Sequence, residues 1–367
     1  MKKFIMPDYK DCIVNLACSI RKYFELDYDH NTLKDIDKLL EEKQPRNVVV
    51  ILYDGMGYNL VKRNLPNSFL EKHMIRSFSS VAPATTTAST TSMLTGQFPK
   101  EHGWLGWDLY MSPEDKIVTM FTNNLKDTEI KAADYNIAEK NYPHKTIVEE
   151  INEAGKYQSK IISPFSKYKY YDLNDMLDKV YYDCKKEGKK YLYVYNPEPD
   201  SSMHELGTDN EKVLKLFKTI NDKTEEMCNK LDDDTVVIIV ADHGHLNSED
   251  ILLDDYPQFK ETLDGDVWLE PRLCSFKVKD EVNFKKLFKK YFSKDFELYT
   301  KKEVIDMKLF GIGNNEHKLF RKSLGDYFAL AKANKYFRYS KDSTLLKSMH
   351  AGFTEDEMLI PLIVYYK

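Results

Sequence analysis

The hydrophobic pattern changes period several times along the chain, and each change marks an element. Residues 8 to 43 carry apolar positions at Ile13, Leu16, Ala17, Ile20 and Phe24, the spacing of one helix face, and then the charged segment DIDKLLEEKQ, so helices are expected there. At NVVVILYDGMG the helical period is lost. A β-branched run from Val48 to Leu52 stops in Asp54 and Gly55, as a strand buried on both faces does. KKYLYVYNPEPD and DTVVIIVADHGH repeat that form, and helical segments such as HKTIVEEINEAG and NEKVLKLFKTINDKTEEMCNKL lie between the strands. This alternation predicts an α/β fold with a mainly parallel central sheet and helices on both faces.

From about Trp268 the texture shifts to RLCSFKVK, NFKKLFKKYF, DFELYT and KKEVIDMKLFG, a small α+β unit rich in Lys and Phe. Residues 255–345 are therefore expected to form an inserted cap, with 1–254 and 346–367 as the core. The ending MLIPLIVYYK reads as a closing core strand, where Pro361 favours an edge position or a distortion.

Composition narrows the classes. A chain of 367 residues accommodates a large α/β domain with a smaller unit attached, and 42% hydrophobic with 31% charged residues is a globular composition. Net charge is −5 with Lys and Arg spread along the length, so the basic footprint of a nucleic-acid binder is missing and no such polymer is expected as a partner. The opening apolar run is broken by Pro7, Asp8, Lys10 and Asp11, and no stretch approaches eighteen apolar residues. No membrane association and a cytoplasmic address are the expectation. Five cysteines without a C-x-x-C pair fit a reduced compartment.

Ligands in open α/β sheets bind beyond the carboxyl ends of the strands, and three strands here end in metal-ligand types: Asp54; Asp200 with His204; Asp242 with His243. His350 stands before the last strand. Taken singly, such an Asp is commonly a turn residue and such a His a surface or core one. Together, with Asp200 and His204 one helical turn apart, they favour a metal centre. Carboxylate mixed with imidazole suits zinc, then manganese or iron. SVAPATTTASTTSMLTG carries a run of hydroxyls, which in isolation serves equally as a helix cap or turn. Beside a metal, a hydroxyl at a helix N-terminus becomes a candidate nucleophile toward an anionic phosphoryl group.

The motifs LYDGMG, PATTTASTTSMLTGQFPKEHG, EPDSSMH and ADHGH, with HAGFTEDEMLIPLIV as a fifth, resemble in order and spacing the alkaline phosphatase superfamily and, within it, the nucleotide pyrophosphatase/phosphodiesterase branch. The resemblance implies a two-metal phosphoester hydrolase, a phosphodiesterase or nucleotide pyrophosphatase working through a phosphothreonine. Phosphomonoesterase or phosphonate C–P hydrolase activity on the same scaffold is the alternative, and a non-catalytic binding protein a more distant one. The family nucleophile precedes a Thr-Gly pair by nine residues, and counting back from Thr95 and Gly96 gives Thr86. By the same carry-over one divalent cation is held by Asp54, Thr86, Asp242 and His243, and a second by Asp200, His204 and His350. The substrate expected is a small phosphoester, a nucleotide among the candidates.

One position departs from the pattern. Where the branch has an asparagine that binds a phosphate oxygen, this chain has Trp107, followed by Asp108. Trp104 and Trp107 are candidates for a stacking wall. His102 and His245, which match no ligand position, are assigned structural or supporting roles. Arg272, Lys318, Arg321 and Lys322 are candidate contacts to an anionic substrate.

Overall fold

The computed structural model describes residues 3–367. Its centre is a six-stranded sheet of β1 (Asn47–Tyr53), β2 (Met74–Ser79), β3 (Gln158–Ile162), β4 (Lys190–Asn196), β5 (Thr235–Val240) and β6 (Leu359–Tyr365), in the spatial order β2-β6-β5-β1-β4-β3. β3, β4, β1 and β5 are parallel neighbours, and β6 runs antiparallel to both β5 and β2. Every residue of β1 and β5 is buried, which is why these segments are continuous apolar runs without alternation.

Helices cover both faces. Tyr53 of β1 bonds Thr224 of helix Glu211–Lys230 at 2.7 Å, whereas Tyr191, paired with Val48 and so on the opposite face, meets Phe24 beside helix Ile13–Tyr23. Helix Glu211–Lys230 buries Val213, Phe217, Ile220, Thr224 and Met227, a stripe at helical spacing, and its lysines and glutamates face out. No described helix is long and apolar enough to cross a membrane. All five cysteines are buried free thiols.

Pro361 does not lie on an edge. β6 sits between β5 and β2, with Pro361 opposite Ser77, and the pairing shifts register between Leu362 and Ile363. The expected distortion is present, and it absorbs the missing N–H inside the sheet.

A second, antiparallel sheet of seven strands stands above the carboxyl ends of the first. Its order is Phe296–Thr300, Tyr327–Ala331, Leu273–Phe276, Trp268–Glu270, Asp108–Met111, Lys116–Thr119 and Asn124–Leu125. Four of these strands come from the Lys- and Phe-rich segment and three from the stretch that follows the hydroxyl-rich helix; the two blocks join through the pair Leu269 with Asp108. Phe284, Phe288 and Phe292 repeat every four residues and pack with Phe259, Phe276 and Phe337, which explains the local texture: phenylalanines inside, lysines outside.

Candidate active site

The register of the central strands builds the site. Leu52 pairs with Val240 and Tyr53 with Asn196, so residues just past these positions emerge side by side from three adjacent strands. Asp54, Asp242 and His243 emerge together, all buried, with ligand atoms within 4.8 Å of one another. His243 Nε2 lies 3.2 Å from Asp54 Oδ1 and 3.5 Å from Asp242 Oδ2. Its Nδ1 donates to the Gly244 carbonyl at 3.1 Å, leaving the Nε2 lone pair turned to the carboxylates. Asp242 Oδ1 accepts from the Gly55 and His243 amides, whereas its buried Oδ2 has no partner among the described residues. Burial, and then the charge of Asp200 on Asp54 and the charges of Asp54 and Asp200 on Asp242, push both carboxyls well above the usual carboxylate range. Buried carboxylates, an orphaned oxygen and an imidazole lone pair at one point are a donor set that a divalent cation satisfies.

Asp200 and His204 lie one turn apart on helix Asp200–Leu206, and they meet His350 and His245 in a second group within the same 4.8 Å limit. Burial opposes ionisation of Asp200, yet the facing His204 and His245 outweigh it and hold its carboxyl well below the usual range. The His243 and His350 rings stack at 3.8 Å and join the two groups.

Thr86 opens helix Thr86–Thr95, whose first intrahelical bond runs from the Ser89 amide to the Thr85 carbonyl. The amides of the first turn therefore have no intrahelical acceptor. Thr86 Oγ1 stands 3.2 Å from Asp54 Oδ2 and 3.3 Å from His243 Nε2. It faces a cavity of about 810 Å³ that Asp200, His204, His350, Trp107, Asp108, Asn124 and Glu270 also line.

Sequence reasoning missed two contributors. Tyr195, on β4, donates its hydroxyl to Asp54 Oδ2 at 2.6 Å. Glu270 is buried in the second sheet, and its Oε1 accepts from the Thr85 hydroxyl and the Trp107 amide, both at 2.7 Å, tying the start of the threonine helix to the Trp107 loop. Burial pushes the Glu270 carboxyl up to about 7. His245 was expected to serve a supporting role, and its Nε2 lies 2.5 Å from Asp200 Oδ1.

Other expectations are corrected by packing. Trp107 lines the cavity, half-exposed, but Trp104 is buried: its indole N–H donates to the Tyr142 carbonyl and it packs in the core of the second sheet, so it forms no cavity wall. Arg272 is fully buried, donating to Glu357 and to the Ala333 and Lys335 carbonyls, which leaves it no access to substrate. Arg321 pairs with Glu316, and neither it nor Lys318 or Lys322 lines the cavity. His102 bonds Ser92 and the Trp104 amide, a structural role.

No curated protein matches this chain. Solved structures of murine ectonucleotide pyrophosphatase/phosphodiesterase 5 (17% identity, TM-score 0.65, 86% of this chain and 87% of that one) share its fold. So do those of the human protein of that name (16%, 0.65, 87% of each chain) and of an inactive threonine-to-alanine variant of the murine protein in complex with AMP (15%, 0.64, 86% and 87%). The family model for type I phosphodiesterase/nucleotide pyrophosphatase matches residues 48–352. With the fold and that match over most of its length, the chain belongs to the type I phosphodiesterase/nucleotide pyrophosphatase family of the alkaline phosphatase superfamily.

Proposed function

We propose that the protein is a two-metal phosphodiester hydrolase in which Thr86 is the nucleophile. The observation that carries this reading is the placement of the Thr86 hydroxyl. It lies at a helix N-terminus, within 3.2 Å of Asp54 and 3.3 Å of His243, facing a cavity of about 810 Å³. Asp54, Asp242, His243 and Thr86 would hold one cation, and Asp200, His204 and His350 the other. Their carboxylate and imidazole donors suit zinc, with manganese or iron next. Divalent cations held there would acidify the threonine hydroxyl and offset charge on the attacking and departing oxygens.

In the first step Thr86 Oγ gives its proton to solvent water and attacks phosphorus in line. The Oγ–P bond forms, the bond to the leaving oxygen breaks, and the leaving alkoxide takes a proton from water. The free amides at the start of helix Thr86–Thr95 face the non-bridging oxygens, as a helix N-terminus favours. Water then hydrolyses the phosphothreonine and returns the hydroxyl. Asp54, bonded by Tyr195, fixes Thr86 from one side; Glu270, through Thr85, fixes the backbone from the other.

The position of the family asparagine is Trp107, and the wall beside it is a cross-strand row of Asp108, Thr119 and Asn124, in which Asn124 Oδ1 is buried without a partner among the described residues. Asn124 thus lines the cavity from a different strand and presents an amide there. The inactive threonine variant of the murine protein supports a threonine in the central role, and its AMP complex supports a nucleotide as substrate, with Trp107 placed to stack on a base. Parallel assays on bis-p-nitrophenyl phosphate and p-nitrophenyl phosphate test the reading: the diester is expected to be the better substrate, and a clear monoester preference would overturn it.

A further inference from the structure

His245 belongs to no role in that scheme, yet the chain delivers it to the second metal group by a definite route. Leu246 pairs with Met349 and Asn247 with Ser348 in a two-residue antiparallel ladder, so the residue before Leu246 faces the residue after Met349: His245 opposite His350. Their ring centroids lie 5.1 Å apart, and His204 is 4.6 Å from His245.

The surrounding hydrogen bonds settle which ring nitrogen of each histidine is bare. His204 Nδ1 is 2.8 Å from the Ser348 carbonyl and His350 Nδ1 is 3.2 Å from the Ala84 carbonyl; carbonyls only accept, so both Nδ1 atoms carry the hydrogen. His245 Nδ1 is 2.9 Å from Ser348 Oγ, whose one hydrogen is donated to the Met203 carbonyl at 2.7 Å, so that hydroxyl accepts and His245 Nδ1 is also the donor. In the neutral rings all three Nε2 lone pairs then point at Asp200 Oδ1, at 3.4 Å from His204, 2.5 Å from His245 and 3.9 Å from His350. Three acceptors converging on a fourth repel one another unless a cation lies among them. Ser348, fully buried, holds two of the rings, the arrangement by which supporting groups orient metal ligands.

We propose that His245 is a fourth protein ligand of the second cation, joining Asp200, His204 and His350. The inference rests on the two-metal reading and adds to it a donor that the motif comparison did not assign. Its chemical consequence is a fuller sphere. With four protein donors and a substrate oxygen the second site takes at least five ligands, which shifts its preference from zinc toward ions that readily take five or six, such as manganese, iron or cobalt. The first site keeps its own donors.

Cobalt(II) provides the test on the full chain. After chelator treatment and reconstitution with Co²⁺, the wild-type protein should bind two equivalents. Its paramagnetic proton NMR spectrum should show four solvent-exchangeable, hyperfine-shifted imidazole N–H signals, from His204, His243, His245 and His350. His245→Ala should lose one signal, and chelator competition should show the second Co²⁺ bound at least about tenfold more weakly with the first unchanged. Three signals in the wild type would overturn the proposal and leave His245 as an imidazolium positioning Asp200. That count needs no variant, so a misfolded His245→Ala does not blunt it. Failure of the wild type to bind Co²⁺ at all would overturn the two-metal reading itself, a result distinct from three signals.

Discussion

Tyr195 donates its hydroxyl to Asp54 Oδ2 at 2.6 Å, from inside the central sheet, while Thr86 bonds the same oxygen from the cavity side at 3.2 Å. The tyrosine thereby holds the carboxylate in place for both metal and nucleophile. A hydrogen bond to a charged, buried group contributes about 1.5–3 kcal/mol. Tyr195→Phe keeps the ring and removes the donor, so kcat/KM is expected to fall roughly 10- to 100-fold. The affinity for the first cation should fall with it. Steady-state kinetics beside chelator competition would check both; unchanged kinetics would show that Asp54 needs no such support.

Thr86→Ala removes the proposed attacking oxygen without touching Asp54, Asp242 or His243. Turnover is expected to drop by about 10³-fold or more, with the protein retaining both metals by elemental analysis. Thr90, whose hydroxyl already bonds the Thr86 carbonyl, is the matched control on the same helix: Thr90→Ala should leave turnover within a few fold. Near wild-type activity in Thr86→Ala would remove the proposed nucleophile.

The legible part of the site follows from the carboxyl ends of parallel strands. Asp54, Asp200, Asp242 and His243 stand one to four residues past the ends of buried parallel strands, and strand order then brings them together. The fold class was readable for the same reason. Tyr195 was not, because a tyrosine within YLYVYN reads as strand packing, and nothing local says that its hydroxyl reaches across to Asp54. Glu270 arrives from a sheet whose two blocks are joined by the strand pairing of Leu269 with Asp108, about 160 residues apart, which no periodicity records. His245 depends on a ladder two residues long. Trp104 misled for a simpler reason: it is adjacent in sequence to cavity residues, but its indole turns into the core.

Glu270 gives a pH dependence with a definite sign. Burial raises its carboxyl from 4.5 to about 7, so the folded state favours the neutral form. The stability this contributes is fully present below pH 4.5 and is lost as pH rises to about 7, a loss of about 3 kcal/mol. Glu270→Gln keeps an oxygen to accept from Thr85 and Trp107 and has no charge to bury. In metal-free protein, denaturant melts at pH 4.5 and pH 7.5 should show the variant gaining stability over wild type at the higher pH. Equal differences at both values would mean that Glu270 is already ionised in the fold.

Gly57 and Gly244, which follow Asp54 and His243 in sequence, pass so close that a Cβ on Gly57 would lie 2.4 Å from the Gly244 Cα, and a Cβ on Gly244 would lie 1.9 Å from the Asp356 carbonyl oxygen. Neither obstacle is the flexible end of a side chain. Gly244 also donates its amide to the Glu357 carbonyl at 2.8 Å, so the segment cannot retreat without losing that bond. Gly244→Ala is therefore expected to cost about 3 kcal/mol through overpacking, and to displace His243 and His245 on either side of it. Both cations should bind more weakly in consequence. Gly155→Ala separates clash from conformation: its φ is +70°, but an added Cβ meets nothing within 4 Å. That change should cost roughly 1–2 kcal/mol from the left-handed backbone alone and leave metal binding intact. Comparable losses of metal affinity in both variants would mean that the effect of Gly244→Ala is general destabilisation and not a displaced pair of histidines.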